Sequence, residues 1–361
     1  MSFGNLRDQE VAVRLLRNVI QRGRVPNGLL FWGPSGVGKR LAALELAKAL
    51  NCASETGDAC DACLSCRKVV SGNHADVKVI VPAGKTRIIS KDVVDFVNEL
   101  ASYRPFEGKW RVVLVLDADR MNLPAQNHFL KTLEEPPSNT VFILVTEFPR
   151  VLLPTIRSRC QQVRFGALRP KTVVDLLLQG HDLPRPTAEA IAAISQGQMS
   201  RALDLVETEK RDVVLDVTRR LGEGEDPLAL SEEFVAHLRA QGEVIKAALK
   251  AELENDDAPD ASAEDAAEQK KEQLALAESL VRRDIMEYLY LLKTWYRDIL
   301  VYRATGDARQ VLNRDHADRL GKAPGDGLEA KLGAVEKAWL YVERNLNMDR
   351  VFRDLFFALA P

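Results

Sequence analysis

With 361 residues, 46% of them apolar, the chain can bury more than one core, and two or three domains are expected. A formal net charge of −2 argues against a protein that grips nucleic acid by itself over a broad basic face. No run reaches 18 apolar residues and the polar start MSFGNLRDQE has no apolar h-region, so neither a membrane span nor a signal peptide is expected, and the chain is assigned to the reducing cytoplasm.

Residues 9–22 set Val11, Leu15, Leu16, Val19 and Ile20 on one helical face. Pro26-Asn27-Gly28 breaks the chain, and Leu29 to Trp32 reads as a short buried strand. A glycine-rich turn leads into a strong helix pattern over 39–50, and a Cys-rich loop spans 52–66. Residues 77–81 read as a strand, and 90–102 as a helix with Ser90 as its N-cap. Val112 to Leu116 is a five-residue apolar run, as in a central parallel strand covered on both faces. Residues 124–134 are helical, and Val141 to Val145 is another buried strand. Strands alternating with helices predict an α/β doubly wound parallel sheet over about residues 1–165.

After Phe165 the strand signals stop. Residues 168–206 read as short helices broken by Pro170, Pro184, Pro186 and Gly197, and the chain is helical from about 210. Ile285, Leu289, Leu292, Trp295 and Ile299 recur at steps of three or four, as do Met348, Val351, Phe352, Leu355, Phe356 and Leu359. Residues 252–272 hold nine acids and two lysines, a local charge of −7 that leaves about +5 for the rest. Rich in alanine and acid but without periodicity, this stretch reads as a solvated insertion or helix extension.

Three features carry chemistry. Gly33-Pro34-Ser35-Gly36-Val37-Gly38-Lys39 sits between a strand and a helix, where glycines let backbone N–H groups turn inward around phosphate oxygens and Lys39 reaches the outer phosphates. A Ser or Thr should follow to hold Mg²⁺, but Arg40 stands there, and a guanidinium cannot ligate a cation. The apolar run ending at Asp117 brings a second Mg²⁺-binding carboxylate toward that loop. Cys52, Cys60, Cys63 and Cys66, spaced C-x7-C-x2-C-x2-C, offer four thiolates for a closed tetrahedral zinc site, structural because no position stays open. An iron–sulfur cluster is the weaker alternative. Cys160 reads as a packed thiol, and His74, His128, His181, His237 and His316 show no ligand or triad spacing.

His128-Phe129-Leu130-Lys131-Thr132-Leu133-Glu134-Glu135-Pro136-Pro137, then Thr146, then Thr155-Ile156-Arg157-Ser158-Arg159-Cys160, resembles the bacterial clamp-loader family of AAA+ proteins, nearest its delta-prime type. The likeness is strongest over residues 1–165 and extends over the chain. It implies an AAA+ core over 1–166 with a zinc module at 52–66, a small helical lid over 167–208, and a helical collar over 209–361 with an acidic insertion near 252–272. It also implies Thr146 as the sensor-1 residue and Arg159 as an arginine finger reaching the ATP site of a neighbouring subunit, where a cation neutralises charge developing in phosphoryl transfer. Where active members carry a water-polarising Glu after the strand-end acid, this chain has Ala118, and Asp119 one place later is expected to face elsewhere. Where the family carries its sensor-2 arginine, this chain has Ser200, with Arg201 rotated about 100° around the helix. Asn345-Leu346-Asn347 and the helix after it resemble the family's closing segment.

The resemblance therefore implies a stator-like subunit of the DNA polymerase III clamp loader, with no ATPase activity of its own and with ATP or ADP, if bound, held weakly or unhydrolysed. Its implied partners are gamma/tau-type and delta-type subunits in a heteropentamer, and through them the sliding clamp and primed DNA. An ATP-hydrolysing gamma/tau-type subunit is the alternative; Arg40, Ala118, Ser200 and the lack of a long tail past residue 361 speak against it. A pure scaffold whose loop binds nothing is the third reading.

Overall fold

A computed structural model describes residues 2–54, 58–82, 88–254 and 263–361. The chain divides into two compact units, Met1–Thr172 with Gln198–Ser200, and Val173–Gly197 with Arg201–Pro361. The first unit runs α1 (Glu10–Gln21), β1 (Gly28–Trp32), α2 (Lys39–Asn51), α3 (Leu64–Val70), β2 (Val77–Ile80), α4 (Lys91–Ser102), β3 (Arg111–Val115), α5 (Leu123–Glu134), β4 (Thr140–Thr146), α6 (Pro154–Arg159) and β5 (Gln161–Arg164). All strand pairings are parallel, in the order β2-β3-β4-β1-β5.

The three central strands, β1, β3 and β4, are buried almost throughout. Their unbroken apolar runs follow from helices on both faces, because neither face meets water. Alternate residues serve one face: Leu30, Val113, Val115, Phe142 and Leu144 pack with Val94, Val97, Phe129, Leu133 and Ile156 from α4, α5 and α6. Phe129 meets Phe142 edge-on at 5.3 Å.

Several local expectations change. β5 has only Val163 buried, and this edge strand lacks the apolar run that reveals its neighbours. The Cys-rich stretch contains the helix α3. Val11 is 75% exposed; Ala12, Leu16 and Val19 are the buried residues of α1. Ser90 occupies the N-cap position of α4, but its side chain makes no capping bond, whereas Asn122 caps α5 by accepting from the Ala125 amide at 2.9 Å.

The second unit is helical: α7 (Pro170–Gly180), α8 (Arg185–Ile194), α9 (Met199–Glu207), α10 (Lys210–Gly222), α11 (Pro227–Glu254), α12 (Ala263–Thr305), α13 (Ala317–Lys322), α14 (Leu328–Glu343) and α15 (Met348–Leu359), with the first residues of α7 and α9 grouped with the first unit. α12 packs against α10, α11 and α14, and α15 against α11 and α14. Ile285, Leu289, Leu292, Trp295 and Ile299 are all buried, as the spacing predicts. Phe234 lies 5.3–5.6 Å from the rings of Tyr288, Phe352 and Phe356, joining three helices. Of the acidic stretch, 252–254 end α11 and 263–272 begin α12, while 255–262 lie outside the described residues. Among the described residues, no helix is long and apolar enough to cross a membrane.

Candidate functional site

The phosphate-type loop occupies the C-terminal end of β1 and the start of α2. Gly33, Gly36 and Gly38 have φ of 150°, 71° and 98°, conformations that side chains resist. Two of them also lack room. A Cβ on Gly33 would stand 2.2 Å from the Phe165 carbonyl oxygen, and one on Gly36 would stand 2.2 Å from the Ser200 amide nitrogen. Gly33→Ala is therefore expected to destabilise the first unit by about 1–3 kcal/mol. The thermal midpoint of that unit reads it, and an unchanged midpoint would show that the backbone can step aside.

Pro34 and Ser35 line the loop half-buried, and Val37 is buried beneath it. Lys39 is only 7% exposed, and its Nζ donates to the carbonyls of Gly33 at 2.7 Å and Pro34 at 2.6 Å. Burial lowers its pKa, and the charges of Glu147, Asp117 and Asp119 oppose that fall. Arg40 is exposed. Gln9, which the sequence did not single out, is buried and donates to Val37 O at 3.4 Å and Gly166 O at 2.9 Å, tying the loop to the chain after β5.

The strand order decides what faces this loop. β4 lies between β1 and β3, so Thr146, opposite Trp32 in the β1–β4 register, stands between the loop and Asp117. At the end of β3 the chain turns through Asp117 in a left-handed conformation, φ 48°. Partial desolvation raises the Asp117 pKa, and the carboxylates of Asp119 and Glu147 add to the rise. Ala118 is 0% exposed. Asp119 accepts a hydrogen bond from the Thr146 hydroxyl, which itself accepts from the Phe148 amide at 2.9 Å. Glu147 was missed from the sequence; its only signal is its place directly after Thr146 at a strand end.

Arg159 ends α6, is exposed, and reaches Glu134 at 2.6 Å. Its neighbour Cys160 is buried against Gly28, and burial pushes its thiol up to about 12, as a packed thiol requires. In the second unit Arg201 is neither solvated nor free: it pairs with Glu287 at 2.8 Å and stacks 4.4 Å over the Tyr290 ring.

The sulfur atoms of Cys52, Cys60, Cys63 and Cys66 all lie within 4.8 Å of one another. A tetrahedral shell with Zn–S of about 2.3 Å needs sulfurs about 3.8 Å apart, so the cluster closes on zinc with small shifts. Backbone amides already point at the thiols: Cys60 N–H donates to Cys52 Sγ at 3.4 Å, Cys63 N–H to Cys60 Sγ at 3.3 Å, and Cys66 N–H to Cys63 Sγ at 3.4 Å. Amide bonds from Ala62 and Cys63 pull Cys60 down to about 6, while burial pushes Cys66 up. Thiolate-favouring amides and a closed four-sulfur shell fit a structural zinc site.

A family model described as "DNA polymerase III, delta subunit" matches residues 8–169. The delta-prime subunit of DNA polymerase III from Bacillus subtilis is 37% identical over 171 residues, 47% of this chain and 51% of that protein. The tau subunit from Escherichia coli is 32% identical over 260 residues, 69% of this chain and 40% of that protein. The chain thus spans about half the length, or less, of these two relatives. A DNA polymerase III gamma subunit-related protein from Thermotoga maritima superposes over 98% of both chains with a TM-score of 0.42 and 18% identity, too loose a match to bear on function. The first of these relatives and the family model point the same way as the Gly33–Lys39 loop, the Glu134–Pro137 segment and the Ser158-Arg159-Cys160 turn: the chain is similar to the clamp-loader subunits of DNA polymerase III.

Proposed function

We propose that the chain is a non-catalytic, stator-like clamp-loader subunit that lends Arg159 to the ATP site of a neighbouring ATPase subunit. The observation that carries this reading is the end of β3. Ala118 is wholly buried where a water-polarising acid would be needed, and Asp119 is engaged by Thr146. Arg40 adds a second deficit, since the metal gains no hydroxyl ligand there. The loop residues and Lys39 would still hold the phosphates of ATP or ADP, with Asp117 as the remaining carboxylate for Mg²⁺. Arg159 is exposed at the end of a helix, and to reach outward it would exchange its solvent-exposed pairing with Glu134 for the neighbour's phosphates. The assembly we infer is a heteropentamer with gamma/tau-type and delta-type subunits, in which the second unit supplies a small lid and the collar that joins the ring. The ring would open the sliding clamp and place it on primed DNA.

Arg159→Ala is expected to slow turnover at the neighbouring site on the order of 10³-fold, the scale of arginine-finger losses. Steady-state ATP hydrolysis by the assembled loader, with clamp and primed DNA, measures it; unchanged turnover would count against the reading. A second reading, an ATP-hydrolysing motor, draws support from Asp119 and Glu147, whose charges act on Lys39 and which could orient a water. Turnover by the purified chain alone, abolished by Lys39→Ala, would establish the motor instead.

A further inference from the structure

Residues Ser2–Asn5 form a single turn of 3-10 helix between the four-cysteine module and the phosphate loop. A turn this short does not hold itself in place. Even so, Phe3 is only 1% exposed, and Leu6 is buried with it. The tie is Asp58, two residues before Cys60. Its carboxylate accepts from the Phe3 amide at 3.3 Å, the Ala59 amide at 2.9 Å and Arg17 Nη2 at 3.3 Å. The Arg17 guanidinium also lies 6.0 Å over the Phe3 ring.

The other end of the segment reaches the loop. Leu6 packs on Gly38, where a Cβ would stand 3.2 Å from Leu6 Cδ2. Gln9 follows and donates to Val37 O at 3.4 Å. Residues 2–9 thus form a strap, fastened to the cysteine module at Phe3 and to the phosphate loop at Leu6 and Gln9. The module in turn depends on its sulfurs. Among the described residues its buried apolar cluster is Cys52, Ala59 and Cys66, and two of these three are ligands of the inferred zinc shell. A cluster that small does not order a loop, so metal–sulfur bonds have to supply the order. Asp61, on the other side of Cys60, pairs with Lys48 of α2 at 2.6 Å. Cys60 lies in sequence between the two aspartates, so its ligation steadies both.

We propose that Asp58 couples the cysteine module to the phosphate loop: metal in the module seats Asp58, Asp58 seats the strap, and the strap steadies the loop. A loop already held in shape binds phosphate at lower entropic cost, which is what the coupling would serve. The inference rests on the zinc assignment and is independent of Arg159 and of ATP turnover.

The test is amide exchange of the full chain, read by mass spectrometry, in zinc-loaded parent, chelator-stripped parent, and zinc-loaded and stripped Asp58→Ala. Metal analysis accompanies each sample, so that a chain without zinc is told apart from a chain without coupling. Stripping the parent is expected to quicken exchange over residues 2–9 about tenfold, the scale of one lost hydrogen bond to a charged group. Asp58→Ala should do the same while keeping its zinc. Stripping that variant should add nothing further over 2–9, because the link is already cut. Residues 38–43, where the Ala42 amide donates to Gly38 O at 2.9 Å, should quicken severalfold in the same samples, and residues 140–146 of β4 should not change. Stripping that quickens 58–70 but leaves 2–9 unchanged overturns the coupling, as do effects of stripping and of Asp58→Ala that simply add. A change that stops at residue 9 overturns the step to the loop. Quickening that spreads to β4 is general unfolding and overturns the proposal too, as does a parent chain that takes up no zinc.

Discussion

Asp76→Ala is expected to destabilise the first unit by about 3–5 kcal/mol, the cost of removing one partner of a buried ion pair. The Asp76 carboxylate is 0% exposed at the head of β2. It accepts from the amides of Phe106 at 2.7 Å, Glu107 at 2.8 Å and Gly108 at 2.8 Å, and from Arg111 Nη2 at 2.9 Å. Burial alone would raise its pKa, but these four donors outweigh it and hold the group down at about 2. The loop after α4 and the start of β3 are both gathered on this one side chain, and alanine would take the carboxylate away from a guanidinium that is itself only 8% exposed. The sign with pH follows. A depressed carboxyl contributes stability that is fully present above its unfolded value near 4 and is lost as pH falls toward about 2; the contribution is about 2 kcal/mol. Urea unfolding of parent and variant should thus differ most near neutral pH, with the gap narrowing by about 2 kcal/mol in acid. A loss below about 1 kcal/mol near neutral pH, or one that persists unchanged in acid, would refute this account.

Cys63→Ser is expected to release the metal of the four-cysteine module. Roughly 10 kcal/mol of binding free energy is typical of a structural zinc site, so one ligand in four carries a few kcal/mol, or about 10²-fold or more in affinity. Cys63 also caps α3, its sulfur accepting from the Cys66 amide, so the helix loses its start with its ligand. The effect should stay local at first. α3 is tied to the sheet through Ser65 and His74, whose side chains lie 3.1 Å apart, and His74 Nδ1 accepts from the Asp76 amide at 3.1 Å. Metal analysis of the purified chain should find one zinc in the parent and far less in the variant. Amide exchange should quicken over residues 58–70 and leave the helical unit unchanged. A parent chain free of zinc, or a variant that keeps it under a chelator, would end the zinc assignment.

Both expectations grow from motifs of very different legibility. The four cysteines announce themselves, because a metal site needs a particular residue type at short spacing and little else does. Nothing marks Asp76 in the sequence; an acid before a short strand is ordinary until the fold brings three amides and an arginine around it. Arg159 falls between the two. Its neighbours in sequence suggested a reaching cation, but only the packing of α6 beside α5 revealed that Glu134 holds it.

What the sequence by itself determined was local and one-dimensional. The apolar runs at 29–32, 112–116 and 141–145 demanded strands buried on both faces. The glycines at 33, 36 and 38 demanded a turn no other residues tolerate, and the three-and-four spacing at 285–299 and 348–359 demanded helices with one buried face. These patterns are legible because period and backbone conformation are properties of neighbouring residues. The tertiary structure alone decided that β4 lies between β1 and β3, setting Thr146 rather than Asp117 next to the loop, and that Asp119 and Glu147 converge on Lys39. It alone gave β5 its strand, since that edge is held by pairing with β1 and not by its own pattern. Each of these depends on which distant segments share a space, and that is set by packing a whole core at once, not by any stretch of chain read alone.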